Sequence, residues 1–494
     1  MRRLIIVLAA VFSAVSLQAQ TPAQKYVDYL ATVPPLKDAV WGVLAKDASG
    51  QVLVEHNSGA LMIPASNMKL VTTGTALVSL GADYRMGTSI GYTGEIEGGV
   101  LNGDLYIIGG GDPTLCSPDS IATSMAATFL GWRSFMQKAG IRSVHGRVIG
   151  DGRLWDTPQE NPDWTWEDIG LDYGSGGSAL GFFSNMVEYE KGRSHIGEPV
   201  PLTQIFPETP WMRVTNRTRT ERPGTGNHIL YFTSDLVPVA EIRGTFAVDR
   251  WLGNEYFANK YGALTCAYYF WKDLADAGIE VTGGYADIDR DGLVRTGADF
   301  VSHEPAGEPV CIGTSYSPVL RRIAMSANCR SDNYYAEAMF HTMGHRLRGC
   351  AQFDSCAVAV RTILDDMGLP ENGIRIIDGS GLSRRNYVTP EFMVEYLQQM
   401  SRSGAWAPFL QSLPYPGGNG TLRNVLRNYP NFLRRRIRMK SGSMDGVLCY
   451  SGYILPPAGV PGEPITFSIM TNNCTGEFAD VRELITKILV LLAQ

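Results

Sequence analysis

Ser66-Asn67-Met68-Lys69 is the stretch that decides how this 494-residue chain is read. A serine and a lysine three apart share one face of a helix, so the amine can meet the hydroxyl, and the helix N-terminus adds positive potential at the oxygen. Pro64 stands just ahead, where proline is tolerated at a helix start. Such a tetrad arises by chance about once or twice in a chain of this length, so the rest of the chain must carry the argument. Downstream stand Ser331-Asp332-Asn333 and then Lys440-Ser441-Gly442. In that order the three runs supply a nucleophile, a base and an anchor for a free carboxylate, the outline of acyl-serine chemistry.

Each residue type has a task in that chemistry. Lys69 acts as a base only when neutral, which requires desolvation and a nearby cation; Lys440 is the candidate for the second. Ser66 then attacks a carbonyl and forms an acyl-enzyme. Ser331 is suited to pass a proton to the leaving amine, and Asn333 to hold the substrate amide. Lys440 with the Ser441 hydroxyl can bind a carboxylate, and the backbone N–H groups of Ser66 and Ser443 can form an oxyanion hole. A competing triplet, Ser326-Ala327-Asn328, lies five residues before the second motif. It falls inside an apolar helical pattern, whereas Ser331-Asp332-Asn333 falls at the break of that pattern, where a loop presents side chains, so the later triplet is preferred.

Working outward, Trp41 to Glu55 reads as a hairpin turning at Ala48-Ser49-Gly50, followed by a helix from about Ser66. Residues 86–302 change character to short β-like runs punctuated by Gly, Pro and Asp, with Leu105 to Gly109 as a strand and a turn at Gly150-Asp151-Gly152. Helical patterning returns at Ser317 to Ala327 and Tyr334 to Leu347. Strands are expected at Arg436 to Ser441, Val447 to Ile454 and Ile465 to Thr471, with a helix from Asp480 to Leu492. The expected fold is α+β: an antiparallel sheet flanked by helices, formed by 20–85 and 303–494 and split by a β-rich insertion over 86–302 that makes one or two extra domains.

The first 19 residues read as a secretory signal: Met1-Arg2-Arg3, an apolar run from Leu4 to Leu17 too short for a bilayer span, and Gln18-Ala19-Gln20 at the cleavage point. The expectation is an exported, periplasmic protein without a transmembrane anchor, and the remaining length of about 475 residues suits two or three domains. A net charge of −6 is no nucleic-acid footprint. Arg434-Arg435-Arg436 with Arg438 is the one concentrated basic stretch, either a solvated strand edge or a positive field beside Lys440. Eight cysteines in an exported chain permit disulfides, and Cys350 and Cys356 are near enough in sequence to close a small loop.

The three motifs and their surroundings resemble the class C low-molecular-mass penicillin-binding proteins, D-alanyl-D-alanine carboxypeptidases that are also endopeptidases. The resemblance extends through Pro64 to Leu70, Gly109-Gly-Gly-Asp-Pro-Thr-Leu115, Trp164-Thr-Trp-Glu-Asp168 and Asp378-Gly-Ser-Gly-Leu-Ser-Arg384. It implies a transpeptidase-like domain, of the penicillin-binding and serine β-lactamase type, interrupted between the first two motifs. It also implies wall peptides ending in D-Ala-D-Ala, or their crosslinks, as substrate, and covalent binding of β-lactam antibiotics. By the same resemblance Asp168 faces the amino group of the substrate's diaminopimelate side chain, and Arg384 and Met444 line that pocket. The family usually shows Thr where this chain has Ser441, and the hydroxyl survives the change. The alternatives are a β-lactamase-like hydrolase and an inactive wall-binding module. Peripheral membrane association and homo-oligomer formation stay open.

Other candidates are weaker. Gly109-Gly110-Gly111 lacks the Gly-Lys-Ser/Thr of a phosphate loop and reads as a turn. Glu337, His341 and His345 form a helical stripe of metal-ligand chemistry, yet the glutamate of a zinc protease is missing from His341-Thr-Met-Gly-His345, so a polar helix face is preferred and neither metal nor cofactor is expected. Ser380 lacks the flanking spacing of a nucleophile elbow.

Overall fold

The computed structural model describes residues 20–250, 253–288, 292–296 and 302–494; the expected leader over 1–19 lies outside them. Five antiparallel strands form the sheet that carries the third motif, in the order Val52–His56, Val40–Lys46, Ile465–Asn472, Val447–Ile454, Ile437–Met444. The alternation of side chains along a strand decides how this sheet is covered. Leu448 and Tyr450 point into a core shared with the helices Pro22–Leu30 and Phe478–Ala493. Val447 and Cys449 point into the opposite core, built around the helices Met68–Ser79, Leu320–Arg330, Asn333–Arg348 and Pro390–Arg402. With helices on both faces, all eight residues of Val447–Ile454 are buried.

The helix Met68–Ser79 runs through the middle of this second core and is buried from Met68 to Leu77. Its polar residues are accommodated because their hydroxyls reach carbonyls: Thr73 Oγ1 donates to Lys69 O at 2.6 Å and Thr72 Oγ1 to Gly379 O at 2.6 Å. The first of these keeps the hydrogen bonding inside the helix, and the second ties it to the loop that follows Ile377.

The insertion has a seven-stranded mixed sheet in which Val148–Asp151, Leu105–Ile108, Gly87–Tyr92 and Val310–Tyr316 are successive neighbours. The helices Met125–Lys138 and Gly262–Asp276 pack on it through Phe129, Trp132 and Phe270. A second lobe of two three-stranded sheets, over residues 186–258, has its own core around Tyr189, Tyr231 and Phe257.

The border expected at 302/303 falls inside the insertion. Val310–Tyr316 pairs antiparallel with Gly87–Tyr92, and beyond this pair Ser317 N donates to Met86 O at 2.9 Å and Leu320 N to Tyr84 O at 2.8 Å. The chain leaves and returns as two adjacent strands, so the return is fixed by where the outgoing strand starts.

Gly150-Asp151-Gly152 is likewise not a turn at its start, because Gly150 and Asp151 end a strand. A Cβ on Gly150 would sit 2.2 Å from Ala263 O, so this glycine admits the close approach of the helix Gly262–Asp276. All eight cysteines are free thiols, including Cys350 and Cys356. Buried Cys356 packs instead on the helix Asn333–Arg348, where a Cβ on Gly344 would meet its sulfur at 2.3 Å.

Candidate active site

Residues 65–67 form one tight turn ahead of the helix Met68–Ser79. Ala65 has φ +46°, and Gly381, at φ +84°, presses on its carbonyl so closely that a Cβ would lie 1.9 Å away. This packing fixes Ser66 at the mouth of a cleft of about 740 Å³, with Lys69 buried one turn further on. Lys69 Nζ contacts Ser66 Oγ at 2.9 Å, Asn333 Oδ1 at 2.6 Å and Ser380 O at 2.7 Å. The last two are acceptors and claim two N–H groups, so a neutral amine presents its lone pair to the serine hydroxyl. Burial lowers the Lys69 pKa to about 8, against the opposing fields of Asp378, Glu337 and Asp332. Burial, the first of the two causes expected from the sequence, thus supplies the depression. Repulsion between the two amines instead adds to burial in pushing Lys440 well below the usual lysine range.

The helix Leu320–Arg330 ends because Ser331 takes the left-handed conformation, φ +61°. Asp332 then caps the next helix, its carboxylate accepting from Tyr335 N at 3.0 Å. The break leaves Ser331 Oγ to accept from Lys440 Nζ at 2.9 Å and starts the helix with Asn333, whose Nδ2 donates to Tyr173 O at 2.8 Å. Ser326-Ala327-Asn328 lies within the preceding helix. Its serine hydroxyl donates to Asp119, and Asn328 Nδ2 donates to Thr73 Oγ1 at 3.0 Å and Ser412 Oγ at 2.8 Å.

Lys440 is buried on the edge strand Ile437–Met444 and also donates to Ser441 O at 2.6 Å, while Ser441 Oγ donates to Thr421 Oγ1 at 2.9 Å. Gly442 is where the strand crosses the turn that carries Ser66. A Cβ there would come within 2.4 Å of Pro64 O and 3.1 Å of Ser66 N, so any larger residue would push the strand off the serine. Ser66, Ser331, Asn333, Ser441 and Ser443 all line the cleft.

The insertion contributes the loop 159–176. Asp168 lines the cleft and accepts from Thr165 Oγ1 at 2.6 Å and Tyr173 OH at 2.9 Å. Arg384 and Met444 line it as well, and Arg384 Nη1 donates to Asp445 O at 3.3 Å. The loop is fastened to the catalytic side by Asn161 Nδ2 donating to Ile377 O at 3.0 Å and Trp164 Nε1 donating to Asp378 Oδ2 at 2.8 Å.

Sequence reasoning missed Asp378 and Glu337 as organisers. Buried Asp378 also accepts from Gly381 N at 2.7 Å, Ser383 N at 2.6 Å and Asn386 Nδ2 at 2.8 Å. Glu337 accepts from Ser380 N at 2.8 Å and Gly379 N at 3.2 Å, and burial pushes its carboxyl up. Together they shape the loop whose Ser380 carbonyl holds Lys69. The density of small and polar residues from Asp378 to Arg384 was the available signal. His341 Nδ1 donates to Ala351 O at 2.7 Å, so Glu337 and His341, two of the three residues in the suspected metal stripe, are engaged with the backbone.

A serine hydroxyl in contact with a buried lysine, beside a sheet edge that carries a second lysine, defines a serine-type peptidase of the acyl-enzyme class. The chain belongs to the D-Ala-D-Ala carboxypeptidase 3 (S13) family, whose sequence pattern matches residues 23–494. It is 29% identical to a D-alanyl-D-alanine carboxypeptidase of Actinomadura sp. (strain R39) over 92% of this chain and 82% of that protein. It is 23% identical to D-alanyl-D-alanine carboxypeptidase DacB of Haemophilus influenzae over 87% of this chain and 85% of that one. The crystal structure of penicillin binding protein 4 from Haemophilus influenzae shares the fold, with a TM-score of 0.79 at 20% identity across 95% of this chain and 99% of that one. The protein is a serine-type D-Ala-D-Ala carboxypeptidase.

Proposed function

We propose that this carboxypeptidase is exported, also cuts peptide crosslinks of peptidoglycan, and is acylated by penicillin at Ser66. The observation that carries the reading is the 2.9 Å contact between Ser66 Oγ and the buried, pKa-depressed Lys69. Neutral Lys69 takes the hydroxyl proton as Ser66 Oγ attacks the carbonyl of the penultimate D-Ala. The backbone N–H groups of Ser66 and Ser443 hold the oxyanion, the strand crossing at Gly442 bringing the two segments together. When the C–N bond breaks, the leaving amine receives a proton through Ser331 from Lys440; water then cleaves the acyl-enzyme, Lys69 returning its proton to Ser66 Oγ and the proton lost by the water restoring Lys440. Asn333 orients Lys69 through Oδ1 as well as holding the substrate amide.

Lys440 and Ser441 anchor the substrate's terminal carboxylate in carboxypeptidase turnover. Asp168 still has acceptor capacity beyond its two hydrogen bonds and pairs with the ammonium of a diaminopimelate side chain, next to Arg384 and Met444. The chemistry is thus assigned to residues 20–86 and 317–494, and recognition of the side chain to the insertion.

Fluorescent penicillin should label the wild-type protein and leave Ser66→Ala unlabelled; labelling at another serine would reject the assignment. Mass spectrometry of fragments released from crosslinked sacculi should show both free D-alanine and cut crosslinks. Rapid multiple turnover of penicillin would instead point to a β-lactamase.

A further inference from the structure

Between Glu395 and Asp445 the chain contains no Asp or Glu, but it has seven Arg and one Lys, in a protein whose net charge is −6. The fold accounts for some of these cations. Arg436 caps the final helix by donating to Ala493 O at 2.6 Å, Arg438 lies over the Tyr415 ring, and Arg434 donates to Asn431 Oδ1 at 2.8 Å. Arg423, Arg427 and Arg435 are exposed, Arg435 also standing over the Tyr415 ring at 6.0 Å, and none of the three has a carboxylate within 4.0 Å among the described residues. Some exposed arginines elsewhere are paired, as in Arg217 with Glu241, Arg321 with Asp83 and Arg385 with Asp163. Two aromatic residues share the segment, Phe432 at 73% exposure and Tyr429 at 37%. The segment is continuous with the cleft, since Thr421 and Val425 line it and Arg423 stands between them.

We infer that the surface carrying Arg423, Arg427, Tyr429, Phe432 and Arg435 docks an anionic wall polymer, a glycan strand bearing carboxylate-rich peptides, and delivers it to the cleft. Unpaired cations with no neighbouring acid in sequence make a single-signed field that attracts such a polymer and weakens with salt. Many weak contacts along one strand raise the effective concentration of each peptide at Ser66. The exposed aromatic faces suit sugar rings and peptide backbones. Continuity with the cleft favours the polymer over an anionic bilayer, because a bilayer seated on this lip would obstruct the substrate's entry. This inference rests on the peptidoglycan reading given above.

The test uses the full chain as Arg423→Glu/Arg427→Glu and as the neutral Arg423→Gln/Arg427→Gln. Co-sedimentation with purified sacculi should weaken about five-fold for each neutralised arginine, more for the reversal, and the wild-type salt dependence should flatten. Hydrolysis of a small acylated D-Ala-D-Ala peptide and penicillin labelling should stay within about two-fold. Unchanged sacculus binding would overturn the inference, as would equal loss of small-peptide hydrolysis, or loss confined to co-sedimentation with phosphatidylglycerol vesicles. Failure of the wild-type protein to cleave the small peptide would instead reject the underlying function.

Discussion

Ser326-Ala327-Asn328 and Ser331-Asp332-Asn333 place the same serine and asparagine at the same spacing, five residues apart, yet they do opposite things. The first sits inside a helix, where the Ser326 hydroxyl and Asn328 Nδ2 are spent on Asp119, Thr73 and Ser412. The second sits where the helix breaks at a left-handed serine, and its groups meet Lys440 and Lys69. The contrast teaches that a motif is a backbone geometry before it is a set of side chains. Satisfied hydrogen bonds inside a helix stabilise the fold, whereas a helix break aims the same groups at a substrate.

The sharpest way to break this contrast is Ser331→Ala. It removes the hydroxyl that accepts from Lys440 but leaves that lysine bonded to Ser441 O. Peptide turnover should fall by about 10²–10⁴-fold, as for loss of a proton-transfer group, while the melting temperature stays near that of the wild type. Steady-state kinetics beside a thermal melt would show this, and unaltered turnover would erase the distinction.

The next effect is on pH. Because the Lys69 pKa is lowered to about 8, its neutral form gains about tenfold for each unit of rising pH below that value, then levels off. Rates of penicillin acylation measured from pH 6 to 9 should climb and flatten accordingly; a level profile would disconnect the second triplet from the base.

Asn328→Ala should invert the first result. It strips Thr73 and Ser412 of a buried donor and should cost about 1–3 kcal/mol of stability. At temperatures below the melt kcat/KM should hold, so a catalytic defect without a shift in denaturation midpoint would contradict the structural role. Ser326→Ala should be milder, about 1 kcal/mol, because Asp119 retains Arg330 at 3.0 Å. Urea denaturation would resolve it, and a loss as large as that of Asn328→Ala would place more of the packing on the serine.

Much of the catalytic half was legible in advance because its signals are local. Short apolar runs marked Val447 to Ile454 and Ile465 to Thr471, and Pro64 before the tetrad marked the helix entry. What stayed hidden depends on contacts between distant segments. Gly150 reads as a turn until a helix more than a hundred residues later is known to lie against it. The end of the insertion is set by its pairing with Gly87–Tyr92, which no local pattern announces. The environment of Lys69 was invisible for the same reason: Asn333 and Ser380 lie hundreds of residues away, and only their convergence gives the lysine its burial. Ser380 was weighed as a nucleophile, but it contributes through its backbone carbonyl, a group every residue has and no motif can flag.

The loop carrying Trp164 and Tyr173 belongs to the insertion, yet it touches the neighbours of Lys69 twice, through Asp378 and through Asn333. The two halves of this protein are therefore not interchangeable modules. A pared-down version with the insertion excised and its ends at Met86 and Ser317 rejoined should keep its sheet and its nucleophile. Its base would nevertheless have lost the scaffolding that aims it, so miniaturising the enzyme would require rebuilding those two contacts from some other source.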